Sequence, residues 1–324
     1  MTSETLESIR LRPFLDADDY AVLAELISTT NLADGIDDIP TAASLRAEYE
    51  ARSEMDPALD FVFADVGGRV VGFGEAYRQV RDEVAIYWTF GTVLPDYRRR
   101  GIGRAILAAN EARGREIALA HDDPAGRAHA SWVSEREGGA EALLLGAGYE
   151  PVRYGFAMIR PNLDDVPDAS LPQGLEIRPV AADHHRAIIA ADNEAFRDHW
   201  GHHEATEDDF VATHASPDID TTLWRIAWDG DDVAGGVLTW VYASENETLG
   251  VRRGWLEHIF VRRPWRRRGL ATALIASALA GLRERGMTEA MLGVDADNLT
   301  GALRLYERLG FTVKDRATHY RKAF

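Results

Sequence analysis

One motif occurs twice in this chain, and the duplication restricts it to folds that half of it can adopt alone. Tyr97-Arg98-Arg99-Arg100-Gly101-Ile102-Gly103 follows an apolar strand in the first half, and Trp265-Arg266-Arg267-Arg268-Gly269-Leu270-Ala271-Thr272 follows another in the second. Both fit Arg-x-x-Gly-x-Gly/Ala. Val93 and Val261 each sit eight residues before the first motif glycine, and an apolar helical pattern runs on after it. Small residues let the backbone close around an anion, while the first-turn N–H groups of the helix lack intrahelical partners and its dipole adds partial positive charge. The pattern predicts two anion-binding turns, each suited to a pyrophosphate.

Further anchors recur at nearly constant offsets, so the repeat covers whole domains. Ile9-Arg10-Leu11-Arg12-Pro13 returns as Leu175-Glu176-Ile177-Arg178-Pro179, Val71-Gly72 as Ala234-Gly235, and Ala147-Gly148-Tyr149 as Leu309-Gly310-Phe311. Each copy reads as a short strand, two helices, a run of antiparallel strands, the glycine turn with its long helix, then strand, helix and strand. This is a mixed α/β pattern. The stretch from Pro161 to Gly174 is rich in breakers and lacks periodicity. It divides the chain into a first domain at 1–160, a linker at 161–174 and a second domain at 175–324.

Composition removes several chemistries. The chain has 324 residues, enough for two ordinary cores, and no cysteine, which excludes disulfides, thiolate catalysis and Cys-based zinc sites. A formal charge of −17 repels nucleic-acid backbones and favours a cationic or amine partner. No signal peptide and no apolar run of bilayer length is visible, so the expected location is the cytoplasm, with no membrane partner. Internal duplication suits a monomer that carries its own pseudo-dimer. Asp198-His199-Trp200-Gly201-His202-His203 lacks a carboxylate geometry for zinc; no metal is expected, and His199 and Trp200 are read as an acceptor-site wall.

Taken together, these residues resemble the GNAT family of acyl-CoA-dependent N-acetyltransferases in its tandem two-domain form. The carriers are Ile259-Phe260-Val261 followed by Arg266-Arg267-Arg268-Gly269-Leu270-Ala271, then Asp297-Asn298 and Ala302-Leu303-Arg304-Leu305-Tyr306-Glu307-Arg308-Leu309-Gly310-Phe311. The resemblance implies two tandem GNAT domains and an acetyl-CoA donor. The turn amides from Arg266 to Thr272 would hold the pyrophosphate, the backbone of Ile259 to Val261 would pair with the pantetheine arm, and Asn298 would make a further donor contact. Tyr306 is similar to the family's general acid, which protonates the departing thiolate. In the first copy Val93, Arg98, Arg99, Arg100, Gly101, Ile102 and Gly103 occupy the corresponding donor positions.

The residues expected to carry the chemistry fall in the second copy. Aligning Gly148 with Gly310 sets Leu144 opposite Tyr306 and Arg136 opposite Asn298; aligning Val93 with Val261 sets Thr89 opposite Glu257. The first domain is therefore expected to be degenerate and the second catalytic. Glu257, directly or through water, is the candidate base for a primary amine of a small molecule, with His258 its competitor should the strand register shift by one residue. A non-catalytic acyl-CoA binding or sensing protein is the alternative. Neither a P-loop nor a Gly-x-Gly-x-x-Gly dinucleotide site is present.

Overall fold

Glycine placement and apolar alternation account for most of the strands. Gly67 and Gly68 both adopt positive φ (61° and 84°), the two-residue hairpin geometry that matches strand twist, and they join β2 (Phe61–Val66) to β3 (Arg69–Arg81). The computed structural model describes residues 8–50, 52, 55–81, 84–123, 126–197, 204–206, 218–296 and 301–324. The chain forms two compact units: residues up to Val152 with Thr318–Phe324, and Arg153–Ala317. These boundaries fall inside strands, whereas the sequence division into 1–160, 161–174 and 175–324 follows the repeat. The final seven residues belong to the first unit.

In the first unit β1 (Arg10–Arg12), β2, β3 and β4 (Val84–Val93) form an antiparallel run, and β5 (Gly126–Ser134) lies parallel to β4. Helices α1 (Asp19–Asp34), α2 (Ala42–Glu50) and α3 (Pro57–Asp60) precede β2; α4 (Ile102–Leu119) links β4 to β5, and α5 (Gly138–Gly146) leads to β6 (Glu150–Arg160). The second unit repeats the plan with β7 (Glu176–Arg178), α6 (His185–Phe196), β8 (Arg225–Asp229), β9 (Asp232–Trp240), α7 (Ala243–Leu249) and β10 (Arg253–Val261). It continues through α8 (Leu270–Glu284), β11 (Glu289–Asp295), α9 (Ala302–Arg308) and β12 (Thr312–Ala323). Its strand order is β6-β11-β10-β9-β8-β7, with β10 and β11 parallel and the other pairs antiparallel.

The expected mixed α/β architecture is thus present in both halves. Helix α8 shows why its pattern folds as it does. Leu270, Leu274 and Ala278, with Ile275, Leu279 and Leu282, make an apolar stripe that buries against Val237 and Leu256 of the sheet. Each such leucine contributes about 2 kcal/mol of burial. Gly286, at φ 83°, stops the helix in the left-handed conformation that glycine adopts at least cost.

Helix α7 was not anticipated. The sequence between β9 and β10 carries no motif, but Asn246 exchanges side-chain hydrogen bonds with both backbone groups of Arg253 (2.8 and 3.1 Å), and Glu245 accepts from Trp255 Nε1 at 3.2 Å. These contacts hold a short segment helical where intrinsic propensity alone does not. In the first copy only two residues separate β3 from β4, so the α7 segment is an insertion in the second unit.

Candidate active site

The two arginine–glycine turns have nearly the same backbone. Arg99 and Arg267 adopt φ 63° and 60°, and Gly101 and Gly269 adopt φ 88° and 85° at the N-caps of α4 and α8. Left-handed φ at a non-glycine residue costs about 1 kcal/mol, so a conformation repeated in both copies is held by its surroundings. The clamp is the first arginine of each triplet. Arg98 Nε donates to the Val93 carbonyl at 3.1 Å and Arg266 Nε to the Val261 carbonyl at 2.8 Å. Arg98 also grips Asp34 through two bonds of 2.7 Å, and Arg266 Nη2 donates to the Ala195 carbonyl at 2.9 Å. Arg98 and Arg266 therefore tie the turn to the preceding strand and helix. Arg99, Arg100, Arg267 and Arg268 stay exposed. No side chain caps either helix, so the first-turn N–H groups, at Ile102 and Gly103 in one copy and Leu270, Ala271 and Thr272 in the other, face outward.

Before each turn, the parallel strands part. Pairing of β4 with β5 ends at Trp88↔Ala130 although β4 runs on to Val93; pairing of β10 with β11 ends at Trp255↔Met291 although β10 runs on to Val261. Arg262 N–H donates to the Ala234 carbonyl at 3.0 Å, which by strand alternation turns the backbone groups of Ile259 and Val261 away from β9 and into the gap. Phe260 instead buries its ring against Ile188, Trp224 and Leu238. The two gaps differ in lining. Two residues beyond the last pair, β5 carries Trp132, packed on Phe90 at 5.8 Å, whereas β11 carries Gly293, with open space where a Cβ would stand.

A β-bulge separates the copies further. The β9–β10 ladder pairs Leu256 with Thr239 and His258 with Leu238, leaving Glu257 as an extra residue, while β3–β4 pairs continuously from Gly72↔Val93 to Arg81↔Val84. Glu257 thus has no partner position in the first copy, and the sequence alignment that set Thr89 against it is corrected. A bulge re-aims the side chain it carries. Glu257 Oε1 accepts from the Tyr242 hydroxyl at 2.9 Å, and Tyr242 stands at the start of the inserted α7.

Next to the bulge, His258 Nδ1 meets Asp192 Oδ2 of α6 at 2.9 Å, and its ring stacks on Trp240 (5.9 Å, 27°) and meets Phe196 edge-on (6.0 Å, 71°). Glu257 is exposed and the His258 side chain is 45% exposed, so both can be reached from solvent, although protein is packed around them. Burial raises the Glu257 pKa, and the Tyr242 hydrogen bond with the His258 charge only partly offsets it, so the net shift is upward. For His258 burial acts downward, but the hydrogen bond and charge of Asp192 and the charge of Glu257 prevail and raise it. Sequence reasoning missed Asp192, Trp240 and Tyr242. A lone helical aspartate and two aromatics carry no motif, and their signal is spatial.

Tyr306 lies buried in α9, in one apolar cluster with Ile259, Val261 and Leu270, and burial pushes its phenol up to about 12. Its counterpart Leu144 packs among Leu107, Val133, Tyr149 and Tyr320. Asn298, His199 and Trp200 lie outside the described residues. Among the described residues no group of acids and histidines is arranged to hold a metal, and no helix is long and apolar enough to cross a membrane.

The acetyltransferase (GNAT) family model matches residues 31–131 and 185–311, more than half of the chain. The chain belongs to the GNAT family. It has two GNAT regions in tandem and is an acetyltransferase. It is similar to mycothiol acetyltransferase of Salinispora arenicola, 31% identical over 316 residues and 95% of each chain, and to that of Geodermatophilus obscurus, 28% identical over 306 residues and 92% of each. Among solved structures, a GCN5-related N-acetyltransferase from Sphaerobacter thermophilus aligns with TM-score 0.73 and 27% identity over 97% of this chain and 95% of its own. A tandem GNAT protein from the clavulanic acid biosynthesis pathway shares the fold, with TM-score 0.67 at 19% identity over 98% of both chains.

Proposed function

We propose that the second unit transfers an acetyl group from acetyl-CoA to a primary amine of a small molecule by direct attack in a ternary complex. The observation that carries this reading is the convergence, in one unit, of an uncapped glycine turn, a parted strand pair with Gly293 in its gap, and a bulged carboxylate. The turn amides from Leu270 to Thr272, with exposed Arg267 and Arg268, suit the donor's pyrophosphate; Ile259 and Val261 suit its amide-bearing arm. The amine nitrogen attacks the thioester carbon, and the Val261 N–H steadies the oxyanion. The amine's proton passes to Glu257, directly or through water. As the carbon–sulfur bond breaks, the Tyr306 hydroxyl protonates the sulfur.

The first unit keeps the turn but has Leu144 for the phenol, no bulge and Trp132 in the gap, so it performs no transfer. The relatives' name, mycothiol acetyltransferase, supports a small-molecule acceptor. The test is thiol release from acetyl-CoA across a panel of amines, alongside calorimetric titration of the donor. Amine-dependent release that survives Gly101→Asp and disappears in Gly269→Asp supports the reading. Release lost only in the first-unit variant refutes it.

A further inference from the structure

The N-acetyltransferase reading leaves two adjacent side chains, Glu257 and His258, in position to take the amine's proton, and the inference that follows rests on that reading. The surroundings of Asp192 separate them. Asp192 is 7% exposed; Oδ2 contacts His258 Nδ1 at 2.9 Å, and Oδ1 is buried without a hydrogen-bond partner among the described residues. A protonated imidazole offers this buried carboxylate a charge-assisted hydrogen bond, stronger than the one a neutral ring can donate. His258 is the group in contact with it. Trp240 stacks on the same imidazole, and a cation over an aromatic face gains further.

Among the described residues, other charges nearby have partners of their own. On α6, Glu194 is paired with Arg262 at 2.7 Å; on α7, Glu245 faces Arg253 at 3.6 Å; Asp218 accepts from the Ala243 backbone and, with Glu245, acts on Tyr242. Among the described residues, Asp192 from α6 and Glu257 from its own strand are the carboxylates that act on the ring. An imidazolium cannot accept the amine's proton. It can hold the neighbouring carboxylate in its ionised form.

We propose that His258, clamped by Asp192 and Trp240, is a standing imidazolium in the acceptor cleft that keeps Glu257 ionised as the base and never itself takes the amine's proton. His258 and Asp192 are then positioning residues, Glu257 the proton acceptor, and Tyr242 the donor that occupies one of its oxygens.

The experiment uses the full chain. Histidine resonances are followed against pH by NMR, with the His258 signal assigned by its loss in His258→Asn; it is expected to titrate above the ordinary value of about 6.5 and to move down in Asp192→Asn. In parallel, kcat/KM is measured against pH. His258→Asn should move the acidic limb up by roughly one pH unit and lower the high-pH plateau by no more than a few-fold, and His258→Lys, a cation without a free base at neutral pH, should bring the limb back down. Thermal melts establish that each variant is folded.

If His258 is the base, His258→Asn lowers the plateau by roughly 10²–10⁴-fold and lysine does not rescue it. That result, or a His258 ring neutral at pH 7, overturns the proposal and leaves the N-acetyltransferase reading standing. A wild-type chain that binds donor but acetylates no amine refutes that reading instead, while the NMR titration still tests the Asp192–His258 pair.

Discussion

Tyr306 shows how far a single residue can be read. Its place in the Leu-Tyr-Glu-Arg-Leu-Gly-Phe run is visible in the sequence; its burial, which keeps the phenol protonated with a pKa of about 12, is visible only in the fold. Tyr306→Phe is expected to lower kcat by roughly 10²-fold or more with little change in donor affinity, as steady-state kinetics and calorimetry will show. A kcat within twofold of wild type would remove the residue from the chemistry. A second prediction concerns Glu75 of β3, buried where it accepts from the Tyr49 hydroxyl at 2.6 Å. Burial carries its pKa from 4.5 to about 7, so the fold favours the protonated acid. Below pH 4.5 folded and unfolded chains are both protonated; as pH rises through 7 the unfolded chain has already released its proton and the folded chain is destabilised. Glu75→Gln should therefore melt like wild type near pH 4 and gain about 2 kcal/mol at pH 8. An equal gain at both pH values would contradict the assignment.

At the scale of elements, the arginine–glycine turn was legible because its residues are contiguous. Small residues at fixed spacing before an apolar helix have few other uses, and the structure bears out the repeated backbone down to its left-handed arginines. What the triplets do was less legible. Three adjacent arginines look alike in a sequence, yet Arg98 and Arg266 brace the turn while their neighbours are exposed. Arg266→Ala should loosen the cradle and weaken donor binding by roughly tenfold, because about 1–2 kcal/mol of charge-assisted hydrogen bonding is removed. Lys at the same position should not restore it, since one ammonium cannot reach both the Val261 and Ala195 carbonyls in the fork geometry. Donor titration by calorimetry checks both variants. The bulge at Glu257 was illegible, because an added residue in a strand leaves apolar alternation almost unchanged and is revealed only by what stands opposite.

At the scale of the molecule, the chain's end belongs with its beginning. Within the first unit Tyr320 is buried and donates to Glu141 at 2.9 Å, Lys322 reaches Glu111 at 2.8 Å, and Phe324 stacks on His129 at 4.1 Å. His129 is fully buried, and burial lowers its pKa to about 4. Truncation before Thr318 should therefore lower the melting temperature of the first unit, and limited proteolysis should cut earliest within residues up to Val152. Cleavage confined to Arg153–Ala317 would show the reverse dependence.

By itself the sequence determined the duplication, the mixed α/β pattern, the two turns and the phenol confined to one copy, because each is written in near neighbours whose spacing the backbone converts directly into geometry. Tertiary structure alone decided that Glu257 stands on a bulge, that Tyr242 and the Asp192–His258 pair surround it, and that the last seven residues complete the first unit. Those relations join residues far apart in the chain. Strand pairing and side-chain burial set them, and neither leaves a local pattern in the sequence.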